Sequence, residues 1–115
     1  EEIRATGDNP LKGIKTVILL DGSSASASEI VAGALKEHKA AQIVGEKSYG
    51  KGSVQTTIDM PNGALLKVTI AKWFTPSGKN ISNNGISPDI KVSAPKGESY
   101  LLNDIQKNKA LEILK

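Results

Sequence analysis

A strand–helix–strand pattern in the first half of the chain constrains its fold more than any other feature. The run TVILL, which ends at Leu20, is short, apolar and rich in β-branched residues, as in a strand buried on both faces. A helical pattern follows from Ser26 to Lys39, and AQIVGE, ending at Glu46, is a second short strand pattern. Two such strands joined by a helix form a parallel βαβ unit. The sequence therefore predicts the α/β class.

The predicted helix carries a capping signal and one apolar face. Its opening SASE matches a capping box, in which Ser26 is the N-cap and Glu29 bonds back to it. The apolar face consists of Ala27, Ile30, Val31, Ala34 and Leu35. Because these residues fall within an arc of about 140° on a helical wheel, we expect this face to pack against the core.

The second half of the chain predicts a β-hairpin followed by a turn-rich segment. VQTTIDM and LLKVTIAKWF alternate apolar and polar residues and flank PNGA, whose Asn-Gly pair is a strong hairpin signal. One face of the second arm holds Leu66, Val68, Ile70 and Phe74. DIKV, ending at Val92, predicts a short edge strand, and residues 98–114 have a helical composition. The expected architecture is an α/β core with a βαβ unit, a β-hairpin and a C-terminal helix.

Length and composition exclude several classes of function. The 115 residues suit one small domain, and the absence of cysteine excludes disulfides and cysteine-based zinc sites. The net charge is +3 with scattered lysines, so the chain lacks the clustered basic surface of a nucleic-acid-binding protein. The longest apolar run, Val17–Leu20, is too short to span a bilayer. We therefore expect neither nucleic-acid binding nor a transmembrane role for this segment.

The glycine-rich stretch GEKSYGKGS, residues 45–53, is one residue away from a phosphate-binding loop. Such a loop has the pattern GxxxxGK followed directly by Ser or Thr, and here Gly52 separates Lys51 from Ser53. It also needs a helix right after the lysine, whereas GSVQTTID is rich in β-branched residues and favours a strand. The residues alone therefore favour a solvated lysine between flexible glycines over a nucleotide ligand.

Ser26 lies in SSASAS, between the first predicted strand and the helix. Hydrolases with a nucleophile elbow place their serine at such a junction, and the free N–H groups of a helix start can stabilise an oxyanion. The alternative is that Ser26 only caps the helix, because serine is among the commonest N-cap residues. The residues alone leave both interpretations open, and the cap is the commoner role.

A nucleophilic serine needs a base, and the candidates are few. The single histidine, His38, lies on the same predicted helix, about 18 Å from Ser26 at 1.5 Å per residue. It cannot be the partner, and its position predicts a partly buried ring. A carboxylate or a lysine remains, and a lysine can act as a base when desolvation lowers its pKa. Lys51 follows the second strand of the βαβ unit, so it can return to the same sheet edge as Ser26.

Three segments carry a family resemblance. They are SASASEIVAGALKEHKAAQIVGEKSYGKGSVQT, VTIAKWFTPSGKNI and NGISPDI. Together they resemble the carboxyl-terminal processing peptidases, also called tail-specific proteases, from residue 3 to residue 92. The combination is specific to that family, although no single segment is. The resemblance implies a serine endopeptidase with a Ser–Lys dyad on an α/β core of the ClpP and crotonase type.

The resemblance implies roles for particular residues. Ser26, the middle serine of SASAS, matches the nucleophile, Lys51 matches the general base, and Gln55 matches the residue that orients this lysine. The backbone N–H of Ala27 is the oxyanion candidate. A fully extended chain would separate Lys51 from Gln55 by about 13 Å, so we expect KGSV to be turned and the next strand to begin later. The resemblance implies no metal and no organic cofactor.

The resemblance also implies substrates, a location and a domain organisation. Family members work outside the cytoplasm, in bacterial envelopes or the plastid lumen, and cut proteins near C-terminal tails that a PDZ domain captures. Residues 1–115 would then be part of a catalytic domain, because they contain neither a PDZ domain nor an LDLRNNPGG-like oxyanion segment. We expect the chain alone to be nearly inactive, since losing one oxyanion donor costs about 100- to 1,000-fold in turnover. The alternative is a non-catalytic binding module on the same fold.

Overall fold

The computed structural model describes residues 6–94 and 104–115. Within these residues the chain forms, in order, strand β1 (Val17–Leu20), helix α1 (Ala27–Glu37), strands β2 (Gln42–Gly45), β3 (Ser53–Asp59), β4 (Leu65–Lys72) and β5 (Ile90–Lys91), and helix α2 (Ile105–Leu114). The predicted C-terminal helix is confirmed over the range of α2. Its expected first residues, 98–103, lie outside the described residues.

β1, β2 and β5 form a parallel sheet with β2 in the centre. β1 and β2 pair along four residues, beginning with Val17 opposite Gln42, and β5 pairs with the other edge of β2. Because α1 connects β1 to β2, the predicted βαβ unit and the α/β class are confirmed. The carboxyl ends of two parallel strands lie at one edge of a sheet, and Ser26 and Lys51 follow these two ends.

The hydrophobic core is small and lies between the sheet and α1. It consists of Leu20, Ala32, Ile43, Ile81 and Ile86. The central strand β2 is buried on both faces, because Ile43 and Val44 are both fully inaccessible. The same burial was predicted for β1 and is wrong, since β1 lies at the edge of the sheet and Leu19 remains 42% exposed.

The buried face of α1 differs from the predicted one. Glu29, Ala32 and Gly33 are the buried residues of the helix, whereas Ala27 and Val31 are exposed. The other three members of the predicted arc are half-buried. The prediction placed only apolar residues inside, but the interior here also contains a carboxylate with several hydrogen-bond donors around it. Because the Glu29 carboxylate occupies the buried side of α1, Val31 lies at the surface.

The C-terminal end of α1 lies at the surface. His38 is the C-cap residue, and its N–H donates to the carbonyl oxygen of Ala34 at 3.0 Å. Its side chain is exposed, so the predicted partly buried ring is wrong. The cause is the same rotation of the helix, which takes the predicted apolar arc partly out of the core.

β3 and β4 form the predicted antiparallel hairpin. Its turn is closed by a hydrogen bond from the N–H of Met60 to the carbonyl oxygen of Ala64 at 2.9 Å. The apolar face predicted for the second arm is largely exposed within the described residues, including Leu66, Ile70 and Phe74. The hairpin therefore adds little to the core, and its importance lies at its base, where β3 leaves the glycine-rich loop.

Candidate active site

Ser26 has an unusual backbone conformation between β1 and α1. Its φ is 56° and its ψ is −116°, in a region that residues with a side chain rarely adopt. Such a conformation costs about 1–3 kcal/mol and persists only when the surroundings enforce it. A sharp, strained turn from a strand into a helix is the geometry of a nucleophile elbow. The conformation therefore supports the nucleophile interpretation, which sequence spacing alone left open.

The predicted capping box at the start of α1 is formed around Glu29. The N–H of Ser26 donates to Oε2 of Glu29 at 2.9 Å, and the N–H of Glu29 donates to the carbonyl oxygen of Ser26, also at 2.9 Å. Both of these bonds use the backbone of Ser26. Neither bond uses the hydroxyl proton of Ser26, so this proton stays available for transfer.

Asp21 stabilises the turn that leads to Ser26. Its Oδ1 accepts hydrogen bonds from the backbone N–H groups of Ser23 and Ser24, both at 2.9 Å, and from both hydroxyl groups. The bond from the Ser23 hydroxyl is the main reason why the pKa of Asp21 is lowered, and partial burial opposes it. The carbonyl oxygen of Ser24 in turn accepts from the N–H of Tyr49 at 2.9 Å. This last bond joins the serine turn to the glycine-rich loop.

Glu29 joins the same two segments from the inside. Its side chain is fully buried, and its carboxylate accepts from the Ser48 hydroxyl and from the N–H groups of Gly50, Lys51 and Ser26. Burial raises the pKa of this carboxyl, but the four hydrogen bonds together outweigh burial and lower it. Glu29 is therefore an anion inside the protein at neutral pH.

The glycine-rich loop is held in place by close backbone contacts. Gly50 has a φ of 93°, and its carbonyl oxygen accepts from the N–H of Asn83 at 2.9 Å. At Gly52 a Cβ atom would lie only 2.3 Å from the backbone nitrogen of Ser82. The glycines are held by this packing and are not flexible, whereas the side chain of Lys51 is exposed, as the interpretation of a solvated lysine predicts.

The segment after Lys51 is a strand, which contradicts both the turn predicted at KGSV and a phosphate-binding loop. β3 begins at Ser53, so the expectation that KGSV is turned and the strand begins later is wrong. The hydrogen bond from the N–H of Trp73 to the carbonyl oxygen of Gly52, at 2.8 Å, explains the early start of the hairpin. A phosphate-binding loop would need a helix here. A strand stands in its place, which removes the basis for nucleotide binding.

Ser26, Lys51 and Gln55 line one cavity of about 430 Å³. Its remaining lining residues are Ser53, Val54, Lys67 and Trp73. Lys51 is exposed, and the Gln55 amide donates to Oγ1 of Thr69 at 3.4 Å. Ala27 follows Ser26 as the first residue of α1, so its N–H has no acceptor inside the helix. Three of the four predicted site residues therefore line one cavity, and Ala27 is not among its lining residues.

The described residues also form a depression that contains none of the predicted site residues. It has a volume of about 770 Å³ and lies between residues 9–16, the end of α1 and the start of β2. Its charged residues are Lys12, Lys15, Lys36, Lys39 and Asp89, with no nucleophile and base pair among them. Within residues 6–94 and 104–115, no group of acidic or histidine side chains is placed to hold a metal ion. Neither described helix is long and apolar enough to cross a membrane.

Sequence reasoning missed two residues of this site. Glu29 was assigned only as a helix cap, and Ser48 was given no role. Ser48 Oγ donates to Glu29 at 2.5 Å and accepts from the N–H of Ile86 at 2.6 Å. Glu29 carried a signal only for its capping role, through the pattern SASE. Ser48 carried none, since its partners lie 19 and 38 positions away.

Two curated relatives are proteases. A probable CtpA-like serine protease of Staphylococcus haemolyticus is 46% identical over 101 residues, which are 86% of this chain and 20% of that protein. A carboxy-terminal-processing protease of Bartonella bacilliformis is 51% identical over 89 residues, which are 77% of this chain and 20% of that protein. The chain thus spans about a fifth of the length of these relatives.

A solved structure and a family model point to the same group of proteases as these relatives. The solved structure of a photosystem II D1 C-terminal processing protease matches with a TM-score of 0.67 and 36% identity, over 88% of this chain and 27% of that one. The resemblance to carboxyl-terminal processing peptidases is therefore confirmed. The family model described as peptidase family S41 matches residues 1–92. The chain belongs to peptidase family S41.

Proposed function

We propose that the full-length protein is a serine endopeptidase of the carboxyl-terminal processing type, in which Ser26 is the nucleophile and Lys51 the general base. The observation that carries this proposal is the strained turn at Ser26 beside a cavity that Lys51 also lines. A serine with a positive φ at a strand–helix junction is costly, and strained residues of this kind cluster at active sites. Family membership supplies the reaction class.

The proposed reaction begins with proton transfer from Ser26 to Lys51. The amine of Lys51 accepts the hydroxyl proton while Oγ attacks the peptide carbonyl carbon, and the carbonyl oxygen becomes an oxyanion. The N–H of Ala27 is the donor available to that oxyanion. The intermediate then collapses, and the Lys51 ammonium returns the proton to the leaving amine. Lys51 then takes a proton from water while the water oxygen attacks the acyl carbon. The ester bond to Ser26 breaks, Lys51 returns the proton to Oγ, and the product leaves with a new C-terminal carboxyl group.

Gln55 is the proposed positioning residue for Lys51. It lines the same cavity, and its amide is bonded to Thr69 rather than left free. An amide oxygen near a lysine amine accepts one of its hydrogens and limits the directions in which it points. A register shift between Val54 and Gln55 interrupts the regular pairing of β3, so the chain from Lys51 to Gln55 is not a fully extended strand.

The proposed substrates are proteins with accessible C-terminal tails, and the proposed location is outside the cytoplasm. The substrates rest on the relatives, which are named as carboxy-terminal-processing and D1 C-terminal processing proteases, and the location rests on the family resemblance. The chain spans about a fifth of such relatives, so residues 1–115 are proposed as part of a catalytic domain. We expect residues 1–115 alone to be nearly inactive, and we assign the activity to the full-length protein.

The first test is cleavage of an unstructured protein by the full-length protein and its Ser26→Ala and Lys51→Ala variants. We expect each substitution to lower kcat/KM by at least about a thousandfold, because a nucleophile and its base act as a unit. Ser28→Ala and Lys47→Ala are matched controls, since both residues are exposed neighbours outside the cavity. Folding of each variant is checked by circular dichroism.

The same experiment distinguishes the proposal from its alternative, a non-catalytic binding module in which Ser26 only caps α1. The backbone capping contacts of Ser26 are the observation in favour of that alternative. They survive in Ser26→Ala, so a pure cap predicts a folded variant with unchanged properties. Near-normal cleavage by either dyad variant would refute the Ser–Lys assignment.

A further inference from the structure

We infer that Glu29 is a positioning residue that holds the backbones of Ser26 and Lys51 in one geometry. This inference rests on the proposed function and deepens it, because it adds to the site a residue that touches neither the substrate nor the reacting atoms. Its side chain is fully buried at the start of α1, between the serine turn and the glycine-rich loop.

One oxygen of Glu29 bonds both proposed reacting residues. Oε2 accepts from the N–H of Ser26 at 2.9 Å and from the N–H of Lys51 at 2.9 Å. The two backbone nitrogens therefore cannot be further apart than twice that distance. Ser26 and Lys51 lie on different segments of the βαβ unit, and a single atom bridges them.

The second oxygen holds the loop that carries Lys51. Oε1 accepts from the Ser48 hydroxyl at 2.5 Å and from the N–H of Gly50 at 2.7 Å. Ser48 itself is buried, and the N–H of Ile86 donates to its hydroxyl oxygen. The carboxylate thus contacts three of the four residues from Ser48 to Lys51, which leaves this loop little freedom to move relative to Ser26.

The chemistry of the four contacts requires an anion. Every partner is a donor, and a carboxylate is the side-chain group that only accepts, through two oxygens. A glutamine would have the same shape, but its NH₂ group would face two donors. Either Ser26 and Lys51 or Ser48 and Gly50 would then lose their acceptor. An error of about 1 Å in the placement of catalytic groups can cost about a hundredfold in rate.

The test compares four variants of the full-length protein: Glu29→Gln, Glu29→Asp, Ser48→Ala and Asp89→Asn. Asp89 is the matched control, because its carboxylate also accepts a backbone N–H, from Ile43 at 2.8 Å, and is not among the contacts of Ser26 or Lys51. The readouts are kcat and KM for an unstructured protein substrate, per folded molecule, together with Tm. Folded concentration is measured by circular dichroism for each variant.

We expect Glu29→Gln to lower kcat about a hundredfold with KM unchanged within about twofold. Glu29→Asp keeps the charge and should recover at least threefold in kcat over Glu29→Gln. Asp89→Asn should lower Tm while kcat per folded molecule stays within twofold of the wild type. A purely structural Glu29 would instead behave like Asp89, with a lower Tm and a normal kcat per folded molecule.

Ser48→Ala keeps the inference testable if the Glu29 variants do not fold. It removes one support of the carboxylate and should lower kcat about fivefold, whereas a wild-type kcat in folded Ser48→Ala would overturn the inference. Failure of the proposed function gives a different pattern, because Ser26→Ala and Lys51→Ala would then remain active. If those two variants are inactive and folded Glu29→Gln keeps its kcat, only the role of Glu29 is wrong.

Discussion

Ser26 is kept in a costly backbone conformation by its neighbours. Asp21 fixes the preceding turn, and Glu29 binds the Ser26 N–H from inside the protein. Two acidic side chains thus enforce the geometry of one serine. Because both carboxyl groups have a lowered pKa, this arrangement depends on their negative charge.

The charge of Glu29 gives a prediction for the pH dependence of stability. Its pKa is lowered from an ordinary value of 4.5, so the folded state binds this proton less readily than the unfolded state. The stability contributed by the charge is therefore complete above pH 4.5 and is lost as the pH falls through the lower, folded-state pKa. We expect the difference in unfolding free energy between the wild type and Glu29→Gln to be constant from pH 5 to 7.

Urea unfolding of both proteins between pH 3 and pH 7 measures this difference. It should shrink below about pH 4.5 as the wild-type carboxylate becomes protonated. Asp21 and Asp89 also titrate at low pH, but they are present in both proteins and cancel in the comparison. A difference that stays constant down to pH 3 would mean that Glu29 is not held as an anion.

The roles of single residues were predictable only in part. Ser26 and Lys51 were placed at one sheet edge by the parallel βαβ topology, and the structure brings both to one cavity. The inward turn of Glu29 was not predictable, because hydrophobic periodicity assigns charged residues to the surface. Burial of this carboxylate depends on donors from residues 48–51, which no local pattern reveals.

At the scale of elements, the loop between β2 and β3 is held by backbone hydrogen bonds at two of its glycines. Its carbonyl oxygens at Gly50 and Gly52 accept from Asn83 and Trp73. This loop is the connection between the parallel sheet and the hairpin, and it carries Lys51. Its packing is therefore what fixes the position of the proposed base relative to α1.

Substitution of Gly52 tests this packing. In Gly52→Ala the new Cβ would lie 2.3 Å from the nitrogen of Ser82, a backbone atom that cannot rotate away. We expect a loss of about 1–3 kcal/mol in unfolding free energy, measured by urea denaturation. Gly22→Ala is the control, because the nearest atom to its Cβ would be 4.0 Å away, and it should change stability by less than about 0.5 kcal/mol. Equal stability of the two variants would show that the loop can relax.

The elements themselves followed from local patterns with different success. The hairpin and the βαβ unit were predicted because alternation, helical spacing and the Asn-Gly turn act over a few residues. The start of β3 was predicted too late, since the carbonyl oxygen of Gly52 accepts a hydrogen bond from Trp73, which directly follows β4. The prediction that β1 is buried on both faces was wrong for a similar reason. Burial depends on which strand lies at the edge of the sheet, and strand order is a long-range property.

At the scale of the molecule, stability rests on few side chains. The buried cluster holds five residues, whereas the apolar face of the hairpin is largely exposed among the described residues. Small domains bury a limited share of their surface, so each core side chain carries a large part of the total. The buried cluster and the hairpin face should therefore differ strongly in their tolerance of substitution.

Matched isoleucine substitutions test this difference. Ile43 is fully buried in β2, so Ile43→Ala should cost about 2–5 kcal/mol of unfolding free energy. Ile70 is 62% exposed in β4, and Ile70→Ala should cost less than about 1 kcal/mol. Urea denaturation of the chain measures both. If Ile70→Ala is as damaging as Ile43→Ala, the hairpin face is covered in solution.

The shared contacts of Glu29 have a consequence for protein engineering. Grafting a serine and a lysine onto another scaffold would copy the reacting side chains but not the buried contacts that position them. A successful transplant would need the buried acid, the Ser48 hydroxyl and the close-packed glycines as well, all in register with the start of a helix. The smallest portable unit of this site is therefore the whole crossover from the end of β1 to the start of β3, and not two side chains.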